Sequence, residues 1–156
     1  MILSPRGWAT FAWQSDYGQL YLVDRNDLSF RAPEIITDEM MQRGLCALPK
    51  GLVIYTNDCL QQHIRIRIFA AEPDYLPADQ MSGNPWTNVE TIEACFPSRT
   101  FLNSSPSIPD PLPAGPVFLL ETEKVIARIS WMEFQGSRDD SVPVEPDVIE
   151  ITFWPN

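Results

Sequence analysis

Two stretches of this 156-residue chain concentrate carboxylates. Glu72 to Glu93 holds five (Glu72, Asp74, Asp79, Glu90, Glu93) and no basic residue. Glu133 to Glu150 holds six (Glu133, Asp139, Asp140, Glu145, Asp147, Glu150) against one, Arg138. Carboxylates at this density serve metal binding, paired acid–base hydrolysis, or imitation of phosphates before a cationic groove. Asp139, Asp140, Glu145 and Asp147 could hold calcium weakly, but their spacing lacks the EF-hand alternation and its central glycine. Solvated loop charge accounts for them better, and no metal is expected. Hydrolysis needs two carboxyls facing across a cleft. With Glu90, Glu93, Glu121 and Glu123 read on strands, spacing selects no such pair.

The remaining reactive residue types are sparse. Serine or cysteine nucleophiles need a nearby base, and the sole histidine is His63, on a strand face shared with Arg65 and Arg67. No Gly-x-Ser-x-Gly elbow and no phosphate-binding loop occur among the seven glycines. Arg65 and Arg67 make a basic stripe too small for nucleic-acid recognition, and cross-strand pairing with acidic neighbours is their expected role. Cys46, Cys59 and Cys95 form no Cys-x-x-Cys pair and read as buried, reduced thiols. Of the five tryptophans, core packing is expected for Trp8, Trp13, Trp131 and Trp154. Trp86, in the loop Asn84-Pro85-Trp86-Thr87, is the candidate for an exposed stacking or contact residue. No catalytic residue and no cofactor are assigned.

These side chains must be positioned by strands. Alternation predicts strands at Trp8–Trp13, Gln19–Asp24, Leu52–Thr56 and His63–Phe69, where Ile64, Ile66 and Ile68 alternate with His63, Arg65 and Arg67. Asn57-Asp58 is read as a turn that makes the Leu52 and His63 strands antiparallel neighbours. Further strands are expected at Val89–Phe96, Val117–Glu121 and Val148–Trp154. Lys124–Phe134 fits a helical stripe or a strand. Its Ile, Val and Trp content and β surroundings favour strand.

One short helix is expected near residues 37–44, with Thr37 as N-cap, Asp38 and Glu39 in the first turn and Gly44 as left-handed stop. Ile36, Met40 and Met41 fall near one apolar stripe. Proline-rich loops are expected near 72–87, 97–116 and 136–146. The resulting expectation is an all-β, two-sheet antiparallel β-sandwich, one domain over residues 1–156, with about eight strands.

Twenty-one acidic against eleven basic residues leave a net charge of −10. That argues against direct contact with nucleic acid or an anionic membrane, and permits a basic protein partner. The 44% hydrophobic fraction fits a globular domain. The N-terminus has no signal-peptide pattern and no apolar run reaches membrane-spanning length, so a cytoplasmic protein is expected.

The order of elements resembles the competence protein J family, small inhibitors of a DNA-entry nuclease in competent bacteria. Gln19-Leu20-Tyr21-Leu22-Val23-Asp24 is similar to that family's opening strand. Ile36-Thr37-Asp38-Glu39-Met40-Met41-Gln42-Arg43-Gly44 is similar to its Trp-Thr-Asp-Glu…Gly helix, followed by the matching strand at Gly51-Leu52-Val53-Ile54. Val89 to Pro97 has a similar counterpart. Leu112-Pro113-Ala114-Gly115-Pro116-Val117-Phe118-Leu119-Leu120 resembles its Leu-Pro-x-Gly-x-Tyr strand entry. Ile36 stands where tryptophan is usual, and a Pro-Val insertion precedes Phe118.

The resemblance implies a non-enzymatic protein that binds and occludes a basic partner, a nuclease inhibitor or immunity-type protein. Asp139, Asp140, Glu145 and Asp147 are the expected contact carboxylates, with Trp86 a further contact. The alternative is a small-molecule or carbohydrate-binding sandwich that uses Trp86 and loop carboxylates. A pocket beside Trp86 would favour it.

Overall fold

The computed structural model describes residues 3–14, 17–27, 30–56, 61–106, 117–133 and 146–156. Within them two five-stranded sheets face each other. The first contains β1 (Gly7–Gln14), β5 (Gln61–Ile68), β10 (Asp147–Pro155), β9 (Lys124–Met132) and β6 (Asn88–Cys95), in that spatial order. The second orders β3 (Leu45–Leu48), β4 (Gly51–Tyr55), β2 (Gln19–Asp24), β7 (Thr100–Ser104) and β8 (Phe118–Leu119). The expected all-β two-sheet sandwich is borne out. Its pairings are antiparallel except for β5 with β10, which run parallel.

Period-two alternation sorts the side chains. Ile64, Ile66 and Ile68 of β5 stand level with Ile149, Ile151 and Phe153 of β10 and point into the core. Leu20, Leu22, Leu52, Ile54 and Phe101 meet them from the second sheet. Phe101 stacks on Phe118 at 4.9 Å between ring centroids, and Phe96 meets Phe153 edge-on at 6.1 Å. Such aromatic pairs add to area burial in holding the layers together. Trp131 of β9 bridges the layers by donating its indole N–H to Tyr55 O at 3.0 Å.

The outer face of the second sheet is covered by a connecting segment. Tyr21 lies 5.3 Å from the Phe30 ring. A Cβ on Gly51 would stand 2.6 Å from Leu22 O and 3.0 Å from Phe30 Cε2, so the strand needs glycine there.

Helix α1 (Asp38–Arg43) forms as its caps dictate. Thr37 Oγ1 accepts from Met40 N at 3.2 Å, and Gly44 takes a left-handed φ of 74°. Lys124–Met132 is strand throughout, as its β-branched content favours.

Several expectations are corrected. Leu52–Thr56 and His63–Phe69 do not pair. Both neighbours of β4 are β2 and β3, both neighbours of β5 are β1 and β10, and the chain changes sheets between them. The stretch 97–116 is not all loop, because β7 lies within it beside β2. β3 follows the helix directly and was not anticipated, and β8 is shorter than expected. The helix buries no residue, and Ile36 before it and Met41 within it are both exposed. Trp8 is 70% exposed on edge strand β1 rather than packed in the core. Cys46 and Cys95 are half-buried, not buried, and Cys59 lies outside the described residues. Glu121 and Glu123 lie between strands.

Candidate functional site

The outer face of the first sheet is not open. After β5 the chain runs from Ala70 to Thr87 as a proline-rich strap across that face, and its ends are fixed to the sheet. Phe69 N donates to Phe153 O at 2.8 Å, and Thr87 N donates to Trp131 O at 2.7 Å. Pro73, Pro77 and Pro85 suit such a segment, because each lacks a backbone donor that a ladder would require. The strap closes on itself through Asp79 N to Asn84 O and Gly83 N to Asp79 O, each 2.8 Å, with Gly83 at a φ of 74°.

A buried ion pair pins the strap. Arg65 Nη1 donates to Asp79 Oδ1 and to Glu150 Oε2, both at 2.8 Å, with the Asp79 and Arg65 side chains 1% and 6% exposed. Asp79 also accepts from Ser82 Oγ at 2.6 Å, Ser82 N at 3.1 Å and Met81 N at 3.3 Å. Burial raises its pKa, yet the Ser82 and Arg65 hydrogen bonds, the Met81 N–H and the Arg65 charge together outweigh that and hold the carboxyl at about 2. Asp79, counted above among loop carboxylates, is therefore a fastener. The expected pairing of the Arg65 and Arg67 stripe is borne out in Glu150, which lies level with Arg65 on β10.

Between strap and sheet lies a cavity of about 330 Å³. Arg67, Arg128, Glu150 and Thr152 form its floor, while Tyr75, Leu76 and Trp86 stand on the strap side. Arg128 Nη2 donates to Pro73 O at 3.2 Å and to Asp74 O at 3.4 Å. Its guanidinium carbon sits 5.6 Å from the Tyr75 ring centroid and 5.2 Å from that of Trp154. Trp86 is half-buried, and its indole N–H donates to Leu76 O at 2.9 Å. The indole edge is thus held within the strap, leaving the ring as a cavity wall.

The other proposed contact residues fall elsewhere. Asp147 is buried at the start of β10, 8% exposed. Asp139, Asp140 and Glu145, with most of the 136–146 loop, lie outside the described residues. The strand ends on either side of that loop locate its base. β9 ends at Met132 opposite Val148, and β10 begins at Asp147 opposite Gln62. At the same end β1 finishes at Gln14 opposite Gln61, β4 finishes at Tyr55 opposite Gln19, and β7 finishes at Ser104 opposite Tyr21. The indole bond from Trp131 to Tyr55 shows that both sheets share this end.

No cluster of three or more metal-ligating side chains occurs among the described residues. His63 is exposed on β5. Burial pushes the Cys46 thiol above its ordinary pKa, which keeps it protonated and a poor nucleophile. No helix among the described residues is long and apolar enough to cross a membrane.

No protein-family model matches the chain, and no curated protein matches its sequence. Two solved structures share the architecture. ComJ of Bacillus subtilis, an inhibitor of the DNA-degrading activity of NucA, superposes with a TM-score of 0.68 at 11% identity, covering 100% of both chains. The crocagin biosynthetic gene J product superposes with a TM-score of 0.56 at 11% identity, covering 96% of this chain and 97% of that one. The chain shares its fold with ComJ and with the crocagin biosynthetic gene J product. At this identity the likeness establishes architecture and leaves activity to be argued from charge and geometry.

Proposed function

We propose that this protein is a non-enzymatic, cytoplasmic binding domain whose acidic sandwich end occludes a basic protein partner, most concretely a nuclease. The observation that supports the reading is that β1, β4, β7 and β9 finish at one end of the sandwich and that the sequence following each of them is acidic. Segments 15–16, 57–60, 107–116 and 134–145 contain six carboxylates (Asp16, Asp58, Asp110, Asp139, Asp140, Glu145) against one arginine, Arg138, half of the net charge of −10. All four follow strands that finish at the same end of the sandwich. A cationic groove built for phosphates would be attracted to such an end over long range, and salt would weaken the attraction. Asp139, Asp140 and Glu145 are the proposed contacts, with Asp147 at the base of their loop.

Likeness of fold to an inhibitor of a DNA-degrading enzyme supports the choice of a nuclease as partner. The test is retention of a DNA-degrading protein on the immobilised chain at low salt. The Asp139→Asn, Asp140→Asn, Glu145→Gln, Asp147→Asn variant is expected to lose that retention, and a variant that retained it normally would remove the reading.

A second reading, a domain that binds a small molecule, is favoured by one observation, the cavity beside Trp86. Trp86 belongs to that reading, since its indole faces the cavity and not the acidic end.

A further inference from the structure

We propose that the cavity beneath the strap is a binding site for a small organic anion, its carboxylate or phosphate held between Arg67 and Arg128 and its planar body against Tyr75 and Trp86. The proposal deepens the ligand-binding reading and is independent of the acidic-end reading. It also revises the expected chemistry, since the floor offers guanidiniums where loop carboxylates were expected to bind a sugar.

The sheet register builds the floor. Arg67 of β5, Thr152 of β10 and Arg128 of β9 stand level on three adjacent strands. With neighbouring strands about 4.8 Å apart, the two arginines rise from strands about 10 Å apart with a hydroxyl between them. Their fork geometry suits a two-oxygen or three-oxygen anion.

The charge on Arg67 is underused. Among the described residues its one carboxylate contact within 4.0 Å is Glu150 at 3.5 Å, and that same oxygen already accepts from Arg65 at 2.8 Å. The Arg67 side chain makes no hydrogen bond among the described residues, although it is only 28% exposed. Arg128 is 11% exposed, and its nearest carboxylate, Glu72, is 3.9 Å away and 67% exposed. Three guanidiniums (Arg65, Arg67, Arg128) thus face two inner carboxylates, Asp79 and Glu150, with Glu72 and Asp74 exposed at the rim.

Arg128 is already engaged by Pro73 O, Asp74 O and the Tyr75 and Trp154 rings, so Arg67, paired only loosely with Glu150, is the guanidinium with donors to offer an anion in the cavity it lines. The cavity is at the small end of ligand sites, enough for one ring system and an anionic head.

The test is calorimetric titration of the full chain with paired probes at about 0.15 M salt: indole-3-acetate against indole-3-acetamide, benzoate against benzamide, phenyl phosphate against phenol, and inorganic phosphate alone. At least one anion is expected to bind tenfold or more tighter than its neutral partner. Arg67→Gln should abolish that preference and Arg67→Lys should keep part of it. The four-site acidic variant should leave anion binding unchanged, and Arg67→Gln should leave retention of a basic protein partner unchanged.

Equal binding of acids and neutral partners, binding unaltered by Arg67→Gln, or no binding of any probe overturns the proposal. Inorganic phosphate binding as tightly as the organic anions overturns the assignment of Tyr75 and Trp86. The Arg67 side chain makes no hydrogen bond among the described residues, so its variants are expected to fold, and matched unfolding curves check this.

Discussion

Replacing Asp79 by asparagine should release the strap while leaving the sandwich intact. The carboxylate accepts four hydrogen bonds, from Arg65 Nη1, Ser82 Oγ, Ser82 N and Met81 N. Its shift from 3.8 to about 2 corresponds to about 2 kcal/mol, at roughly 1.4 kcal/mol per unit. Removing one member of a buried pair typically costs about 3–5 kcal/mol. Arg65 keeps Glu150 at 2.8 Å, which places the cost at the lower end. The strap should therefore open about 2–3 kcal/mol more easily, a gain of roughly 30- to 150-fold in the open population.

The assay is amide hydrogen exchange at Asp79, Gly83 and Trp86, whose N–H groups bond within the strap. These should accelerate by that factor, while the amides of β5 and β10 change much less. Because the folded pKa is depressed, the stabilisation is complete above the unfolded value of 3.8 and is lost as pH falls through about 2. The native strap should therefore lose protection between about pH 4 and pH 2, and the asparagine variant should show no such loss from this group. Unchanged exchange in the variant, or a native transition near neutral pH, would refute the fastener role.

Three further outcomes are expected. Gly51→Ala should destabilise by about 1–3 kcal/mol in urea unfolding, because the new Cβ would meet Leu22 O at 2.6 Å. Asp24→Ala should cost about 2 kcal/mol, since the buried carboxylate accepts from Asn26 N at 2.9 Å and Ser98 N at 2.8 Å. Trp131→Phe should cost about 1 kcal/mol or more, by leaving Tyr55 O without the indole donor that ties the sheets.

Local patterns made most of the strands legible. β2 was readable residue for residue, and the alternation of Ile64, Ile66 and Ile68 with Arg65 and Arg67 gave the two faces of β5 correctly. Helix α1 was readable because Thr37 and Gly44 act through local backbone geometry. What failed was long-range. The pairing of β5 with β10 joins residues 85 positions apart and leaves no local signature, so reading Asn57-Asp58 as a turn suggests a pairing of β4 with β5 that does not occur. β3 has only four residues, too few for alternation to register.

The candidate site was legible in its parts and not in its assembly. Arg65, Arg67 and Trp86 stand out in the sequence, whereas Asp79 reads there as one carboxylate among five. Their convergence depends on a proline-rich segment folding back over the sheet, which composition reads simply as loop. The one usable signal was that Arg65 and Arg67 share a strand face with no equal acidic run beside them in sequence, so their countercharges had to come from distant residues.

The central claim is that the acidic end of the sandwich holds a basic, DNA-degrading partner. The most direct measurement immobilises the full chain, passes host lysate over it at low salt, elutes with a salt step and assays the identified proteins for DNA degradation with the purified chain added back. The expected result is a basic nuclease, released by moderate salt, whose activity falls in proportion to added chain and recovers when the Asp139→Asn, Asp140→Asn, Glu145→Gln, Asp147→Asn variant replaces it. Retention of no basic nuclease, or inhibition that survives those four substitutions, would contradict it.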